Sequence, residues 1–198
     1  MVGRPVRVAG LSIALAALVA SSTVARRREV GRAEERLFRL VNGAPDRLHL
    51  PVWAVMQSGS LAAVFVVSGL LRRSGRTRPG QASLVAGIAV WAGVKVVKPL
   101  IGRGRPDRHL DLVSVRGPQQ TGLGYPSGHM AVITTLTIIA GSDLRPCGRL
   151  LAAALATTTG GARIYVGAHL PLDVVGGAAI GVLSGRATNA YLSSLRAR

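Results

Sequence analysis

Four stretches of this sequence carry no Asp, Glu, Lys or Arg over lengths that a water-soluble chain rarely sustains. They are Val8 to Ala25, Leu48 to Leu71, Pro79 to Val94 and Gly117 to Ser142. A helix needs about 20 mostly apolar residues to cross ~30 Å of hydrocarbon. Each run therefore has the length of a membrane helix, the third on condition that Lys95 and Lys98 lie near its end. Two further segments, Leu150 to Ala168 and Leu172 to Tyr191, are apolar but interrupted by Arg163 and Arg186. Ionisable groups inside such segments are costly, so they point to function or to snorkelling near a helix end. The expectation is an all-α, multi-pass integral membrane helical bundle of about six transmembrane helices. A soluble helical protein would have to cover four such runs with what remains of 198 residues, and too little remains.

The charge pattern narrows the function classes. Lys and Arg total 25 against 8 Asp and Glu, a net charge of +17, yet 48% of the chain is apolar. The charges sit in clusters between apolar runs, whereas a nucleic-acid binder spreads them over a polar surface. Aromatic residues make up only 4%, with no basic and aromatic interleaving, so no nucleic-acid partner is expected. The apolar content excludes disorder as the main state. Cys147 is the single cysteine, which excludes a disulfide framework and a cysteine-rich zinc site.

The chain divides into an N-terminal anchor helix (residues 1–28), a connector (29–47) and a membrane catalytic domain (48–198). The anchor has a rival reading: Arg4 and Arg7, an apolar stretch, then Thr-Val-Ala before Arg26 resemble a cleavable signal peptide. Between Arg26 and Asp46, Val30, Ala33, Leu37, Leu40 and Val41 recur at helical spacing. That pattern predicts an amphipathic helix in the interface, against the alternative of a solvated connector. Basic residues divide almost evenly between the two faces, so the positive-inside rule does not decide orientation.

Three segments hold the chemistry. Lys98-Pro-Leu-Ile-Gly-Arg-Gly-Arg105-Pro106 ends the third span, and Pro126-Ser127-Gly128-His129 opens the fourth. Arg163-Ile-Tyr-Val-Gly-Ala-His169-Leu-Pro-Leu-Asp173 joins the last two. Helix parity brings all three to one membrane face. Lys98, Arg105 and Arg163 supply three cations, two of them forked guanidiniums suited to phosphate oxygens. Pro126 fits a first helical turn, so the N–H groups of Ser127 and Gly128 offer an anion site at a helix start. His129 and His169 exchange protons near neutrality. Asp173, four residues after His169, shares its face if a helix begins near Pro171. Together they suit phosphoryl transfer: one histidine attacks, the other protonates the leaving oxygen, and the cations stabilise the transition state. Taken singly, each residue has a plainer reading. Lys98 and Arg105 could be interface anchors, His129 and His169 structural histidines, and Asp173 a charge at a helix start. Asp173 is the only acid in the three segments, which leaves no carboxylate cluster for a magnesium pair, so neither metal nor cofactor is expected.

The order K-x6-R-P, P-S-G-H, R-x5-H-x3-D resembles the signature of the type 2 phosphatidic acid phosphatase (PAP2) superfamily and its bacterial membrane lipid phosphatases. The resemblance implies a metal-free phosphate pocket in a helical bundle. His169 would be the nucleophile forming a phosphohistidine, Asp173 its orienting partner and His129 the general acid. Lys98, Arg105, Ser127, Gly128 and Arg163 would bind phosphate. The family usually carries Ser before the third segment's Arg; here Ala162 stands there, which removes one hydroxyl contact. It further implies a cell-membrane enzyme with its site on the outer face, hydrolysing a lipid phosphate or pyrophosphate. A polyprenyl phosphate is favoured over phosphatidate or phosphatidylglycerophosphate. Residues 102 to 125, with Asp107, Asp111 and the Gly117-Pro118 turn, are expected to shape the entrance. A non-catalytic subunit that binds phosphorylated lipid is the alternative from another class.

Overall fold

A computed structural model describes residues 4–27 and 29–196; the outer ends of the expected domain layout and the boundary residue 28 lie outside the described residues. The described chain forms eight α-helices and no strand. The first apolar run is α1 (Arg4–Arg26), and the connector holds α2 (Arg32–Asn42), whose first turn carries Glu34 and Glu35 at the positive end of its dipole. The second run does not form one helix. α3 (His49–Met56) runs on into a 3-10 turn at Gln57–Gly59, and α4 (Leu61–Arg73) then leaves at a bend of 66°. The break falls on Gln57-Ser58-Gly59-Ser60, the polar quartet of that run. Ser60 caps α4 by accepting the Ala63 N–H at 3.3 Å, and Ser58 bonds the Thr159 hydroxyl at 2.8 Å.

α5 (Thr77–Ile101) continues through Lys95 and Lys98 and ends at Gly102, which takes φ 71° and returns its N–H to the Lys98 carbonyl. The fourth run is also shorter as helix than expected. α6 (Gly128–Gly141) has 14 residues, about 21 Å at 1.5 Å per residue. Residues 117–127 form a loop instead, with Gly117 and Gly122 at positive φ and Pro118 and Pro126 interrupting the chain. Pro126 precedes the N-cap Ser127, one step outside the first turn where the sequence put it. α7 (Pro146–Tyr165) and α8 (Pro171–Arg196) complete the chain. Ala9–Arg26 and Thr77–Arg108 are each long and apolar enough to cross a membrane, and the bent α3–α4 pair makes a third if it counts as one span. α6 is too short to be counted alone, and polar residues and arginines dilute α7 and α8.

α6 is the axis of the bundle. It is apolar around its circumference and buried from Met130 to Leu136 and at Ile139, as a helix surrounded by helices must be. α4, α5, α7 and α8 pack on it, and α1 lies along α8. α8 runs parallel to α6 and touches it through Gly177, Gly181 and Gly185, one turn apart. Any side chain there would overlap the Ser127 carbonyl, Thr134 or Ile138. The ends of α5 and α7 and the starts of α6 and α8 thus meet at one end of the bundle, as parity requires.

Helix α2 is amphipathic, and the apolar residues named for this connector divide: Val41 and, just before the helix, Val30 pack inward beside Phe38, and the leucines do not. Phe38 and Asn42 are buried while Leu37 and Leu40 are exposed. The inward register is set by Glu34 and Phe38, a turn apart, and by Asn42, whose amide donates to the Ser114 and Tyr165 carbonyls, each at 2.9 Å.

Candidate functional site

The connection between α7 and α8 wraps back on itself: the N–H groups of Ala168 and His169 both donate to the Arg163 carbonyl, at 3.1 and 3.2 Å. That turn carries His169 into the interior, where it is 3% exposed. In the first turn of α8, Asp173 is wholly buried and faces the ring, with Nδ1 to Oδ2 at 3.3 Å. The same oxygen accepts the Leu170 N–H at 3.0 Å, which fixes the carboxylate plane. A carboxylate opposite Nδ1 makes Nδ1 the protonated nitrogen, so the neutral ring keeps its lone pair on Nε2. His169 is held well below the usual histidine range, first by burial and then by Arg163, Lys98, Arg105 and His129. Those four groups come from α7, α5, the segment after α5 and α6. The residues expected to act together therefore lie within electrostatic reach of one imidazole.

The three expected cations are bonded to neutral acceptors. Lys98 donates to the Leu123 and Gly124 carbonyls at 2.8 and 2.9 Å. Arg105 donates to the Thr121 and Ala168 carbonyls at 3.1 and 2.7 Å. Arg163 reaches the Met56 sulfur, and its Nε has no partner. Ser127 is the N-cap of α6; its N–H donates to the Asp173 carbonyl at 2.9 Å and its buried hydroxyl is unpaired. A methyl built on Gly128 would lie 3.7 Å from Val94, so the protein's own packing leaves room there. Gly124 is different, because a Cβ would press on the Gly104 carbonyl and on Asp173. Ala162, at the position of the missing serine, packs with Met56, Tyr165, Val166 and Ala168 in an apolar cluster. Among the described residues no group of three or more His, Cys, Asp or Glu side chains is arranged to hold a metal ion.

Two residues that the sequence did not single out belong to this constellation. Arg103 is 0% exposed and joins two acids. Its Nη1 donates to Asp173 Oδ1 at 3.3 Å and to Glu34 Oε1 at 3.0 Å, and its Nη2 to Glu34 Oε2 at 2.6 Å. Glu34 Oε1 also accepts the Leu172 N–H at 2.9 Å, one of the donors that the start of α8 leaves open. Removing one partner of a buried ion pair typically costs about 3–5 kcal/mol. Arg103 lay within the quoted first segment, but in a chain with 25 Lys and Arg its identity carried no signal. Glu34, with only seven other acids in the chain, was the more legible of the two.

Comparison with known proteins gives a consistent result. The model of the PAP2 superfamily matches residues 54–196. Decaprenylphosphoryl-5-phosphoribose phosphatase from two strains of Mycobacterium tuberculosis is 33% identical over 105 residues, 52% of this chain and 56% of the relative. The chain thus spans about half the length of the curated relatives it matches. Among solved structures, LpxE of Aquifex aeolicus superposes with a TM-score of 0.71 at 25% identity, over 82% of this chain and 98% of that one. A PAP2 type phosphatidylglycerolphosphate phosphatase from Bacillus subtilis gives 0.75 at 20% identity over 96% of each chain, a likeness of fold.

Proposed function

This chain belongs to the PAP2 superfamily, and from that premise we propose that it is a membrane-embedded lipid phosphatase acting through a phosphohistidine, without a metal. The observation that carries the reading is the convergence of Arg163, Lys98, Arg105 and His129 on a buried His169 that Asp173 orients. Nε2 of His169 attacks phosphorus, and the bond to the leaving oxygen breaks as His129 gives that oxygen its proton. Water, deprotonated by His129, then attacks phosphorus, and phosphate leaves with His169 restored. Lys98, Arg105 and Arg163 exchange their present acceptors for phosphate oxygens, the Ser127–Gly128 segment adds N–H donors and the unpaired Ser127 hydroxyl, and together they balance the charge of the transition state.

A polyprenyl phosphate or diphosphate is the favoured substrate class. The sequence likeness to a decaprenylphosphoryl-5-phosphoribose phosphatase supports a polyprenyl carrier. Membership of the family favours a site on the outer face of the cell membrane, in a bundle of six crossings, with residues 1–28 retained as an anchor ahead of the 29–47 connector and the 48–198 catalytic part. Ser21 and Ser22 of α1 both bond the Tyr125 hydroxyl at 2.9 Å, a contact that favours retention. Cys147 is exposed at the opposite end of the bundle, so an impermeant maleimide should leave it unlabelled in intact cells. Rapid labelling would reverse the orientation.

The direct test is phosphate release by purified protein in EDTA from farnesyl phosphate, undecaprenyl diphosphate, phosphatidate and phosphatidylglycerophosphate, with acid-quenched trapping of ³²P-protein. Release in EDTA with trapped label is the expected result. Dependence on Mg²⁺ would overturn the metal-free mechanism, and release from none would favour a lipid-binding subunit.

A further inference from the structure

The chemistry proposed above asks for two properties that His169 and Asp173 do not supply alone. The carboxylate must keep one orientation, and the surroundings must accept positive charge. As the Nε2–P bond forms and the P–O bond breaks, the ring retains its Nδ1 proton and becomes cationic, facing Asp173. Three cations already crowd this ring, since Arg163, Lys98 and Arg105 all oppose its charging. A fourth, Arg103, bonds Asp173 directly. If Asp173 were the sole partner of Arg103, its charge would be spent on the guanidinium and little would remain for the imidazolium.

Glu34 alters that balance. It takes both Nη nitrogens of Arg103, at the shorter distances of 3.0 and 2.6 Å, while the Asp173 contact is 3.3 Å. The pair Glu34–Arg103 is formally neutral, so the charge of Asp173 remains available to the ring. Geometry is served as well. Asp173 Oδ1 is held by Arg103 and Oδ2 by the Leu170 N–H, so rotation of the carboxylate breaks one contact or the other. The Glu34 side chain is 7% exposed and also holds the Leu172 N–H, fixing the start of α8 that carries Asp173.

We infer that Glu34 and Arg103 are a positioning pair for the His169–Asp173 dyad, through which helix α2 sets the orientation and charge of the reacting imidazole. The inference rests on the phosphatase reading. The groups that face His169 are Asp173 from α8, Arg163 from α7, Lys98 from α5, Arg105 from the segment after it and His129 from α6. Glu34, from α2, acts on it through Arg103.

The experiment uses the full chain in detergent, with farnesyl phosphate and p-nitrophenyl phosphate as probes, and compares wild type with E34Q and R103Q. E34Q keeps an oxygen for the Leu172 N–H but loses the charge. Its kcat should fall about 10–100-fold, the usual effect of such outer partners, with KM within about twofold of wild type, because the phosphate cations are untouched. An unchanged kcat, or a loss carried by KM, would overturn the inference. The second readout needs no turnover: NMR titration of the His169 ring in histidine-labelled protein. Removing a positive charge in R103Q should move the midpoint up, and removing a negative one in E34Q should move it down. Either variant decides the point if the other fails to fold, and a ring that titrates as in wild type would refute the pair. If wild type hydrolyses neither probe, the phosphatase reading falls, while the titration still decides the positioning role.

Discussion

Arg103, on the α8 side of the site, is met by two carboxylates, whereas Lys98, Arg105 and Arg163 on the facing side donate to carbonyl oxygens and a thioether. The difference lies in what each cation can give up. A guanidinium between two buried carboxylates has no reason to release them for a phosphate, since it would exchange two anions for one. A cation bonded to backbone carbonyls gains charge on meeting phosphate, because a charged acceptor forms roughly the stronger bond of the two by a factor of two. One wall therefore has its charge matched as it stands, with only the Arg103 Nε unpaired, and the other is poised to change partners. Three of these cations, Arg103, Arg105 and Arg163, are buried and Lys98 is half-buried, so what each one is paired with matters.

The sharpest break of this comparison is H169A, which removes the group both walls serve. Turnover should drop by at least ~10⁴-fold and trapped ³²P-protein should vanish; label that persists would mean that another residue attacks phosphorus. H129A should cost about 10²–10⁴-fold on a lipid alkoxide, but far less on p-nitrophenyl phosphate, whose leaving group departs without a proton. Equal losses on the two substrates would assign His129 to binding. On the receptive wall, R163Q should lower kcat/KM by about 10²–10³-fold and weaken inhibition by vanadate in parallel. Full vanadate inhibition in that variant would place Arg163 with the completed wall. The smallest effect is expected one residue from Glu34. E35Q removes a pair between Glu35 and Arg39 that is substantially exposed, and exposed pairs contribute about 0.2–1 kcal/mol. Its melting temperature and kcat should match wild type closely, and a loss like that of E34Q would show that any charge change on α2 suffices.

The receptive wall was readable in the sequence because its chemistry is carried by fixed spacings. Lys98, Arg105, His129, Arg163, His169 and Asp173 sit at helix ends, and parity alone brings helix ends together. The completed wall was not readable, since Glu34 and Arg103 are 69 residues apart in sequence. No periodicity connects them, and their meeting depends on how α2 folds down over the start of α8. The breaks at Gln57–Gly59 and at 117–127 were hidden for another reason. A run defined by missing charges also takes in residues 117–122, an exposed stretch of Gly, Pro, Gln and Thr that is uncharged without being apolar, and a bent helix pair lacks charge as well as a straight span does.

The glycine seam between α6 and α8 bears on how such a protein can change over generations. Residues on the lipid side of the bundle, such as Phe65, Val66, Val85 or Leu151, can be exchanged for other apolar residues with little effect on the distance between Ser127 and Asp173. Gly177, Gly181 and Gly185 have no such latitude. The smallest addition there wedges apart the two helices whose starts carry His129 and follow His169. Divergence in this chain is thus channelled outward, toward the bilayer, while the separation of His129 from His169 is passed on intact by residues that have no side chain to vary.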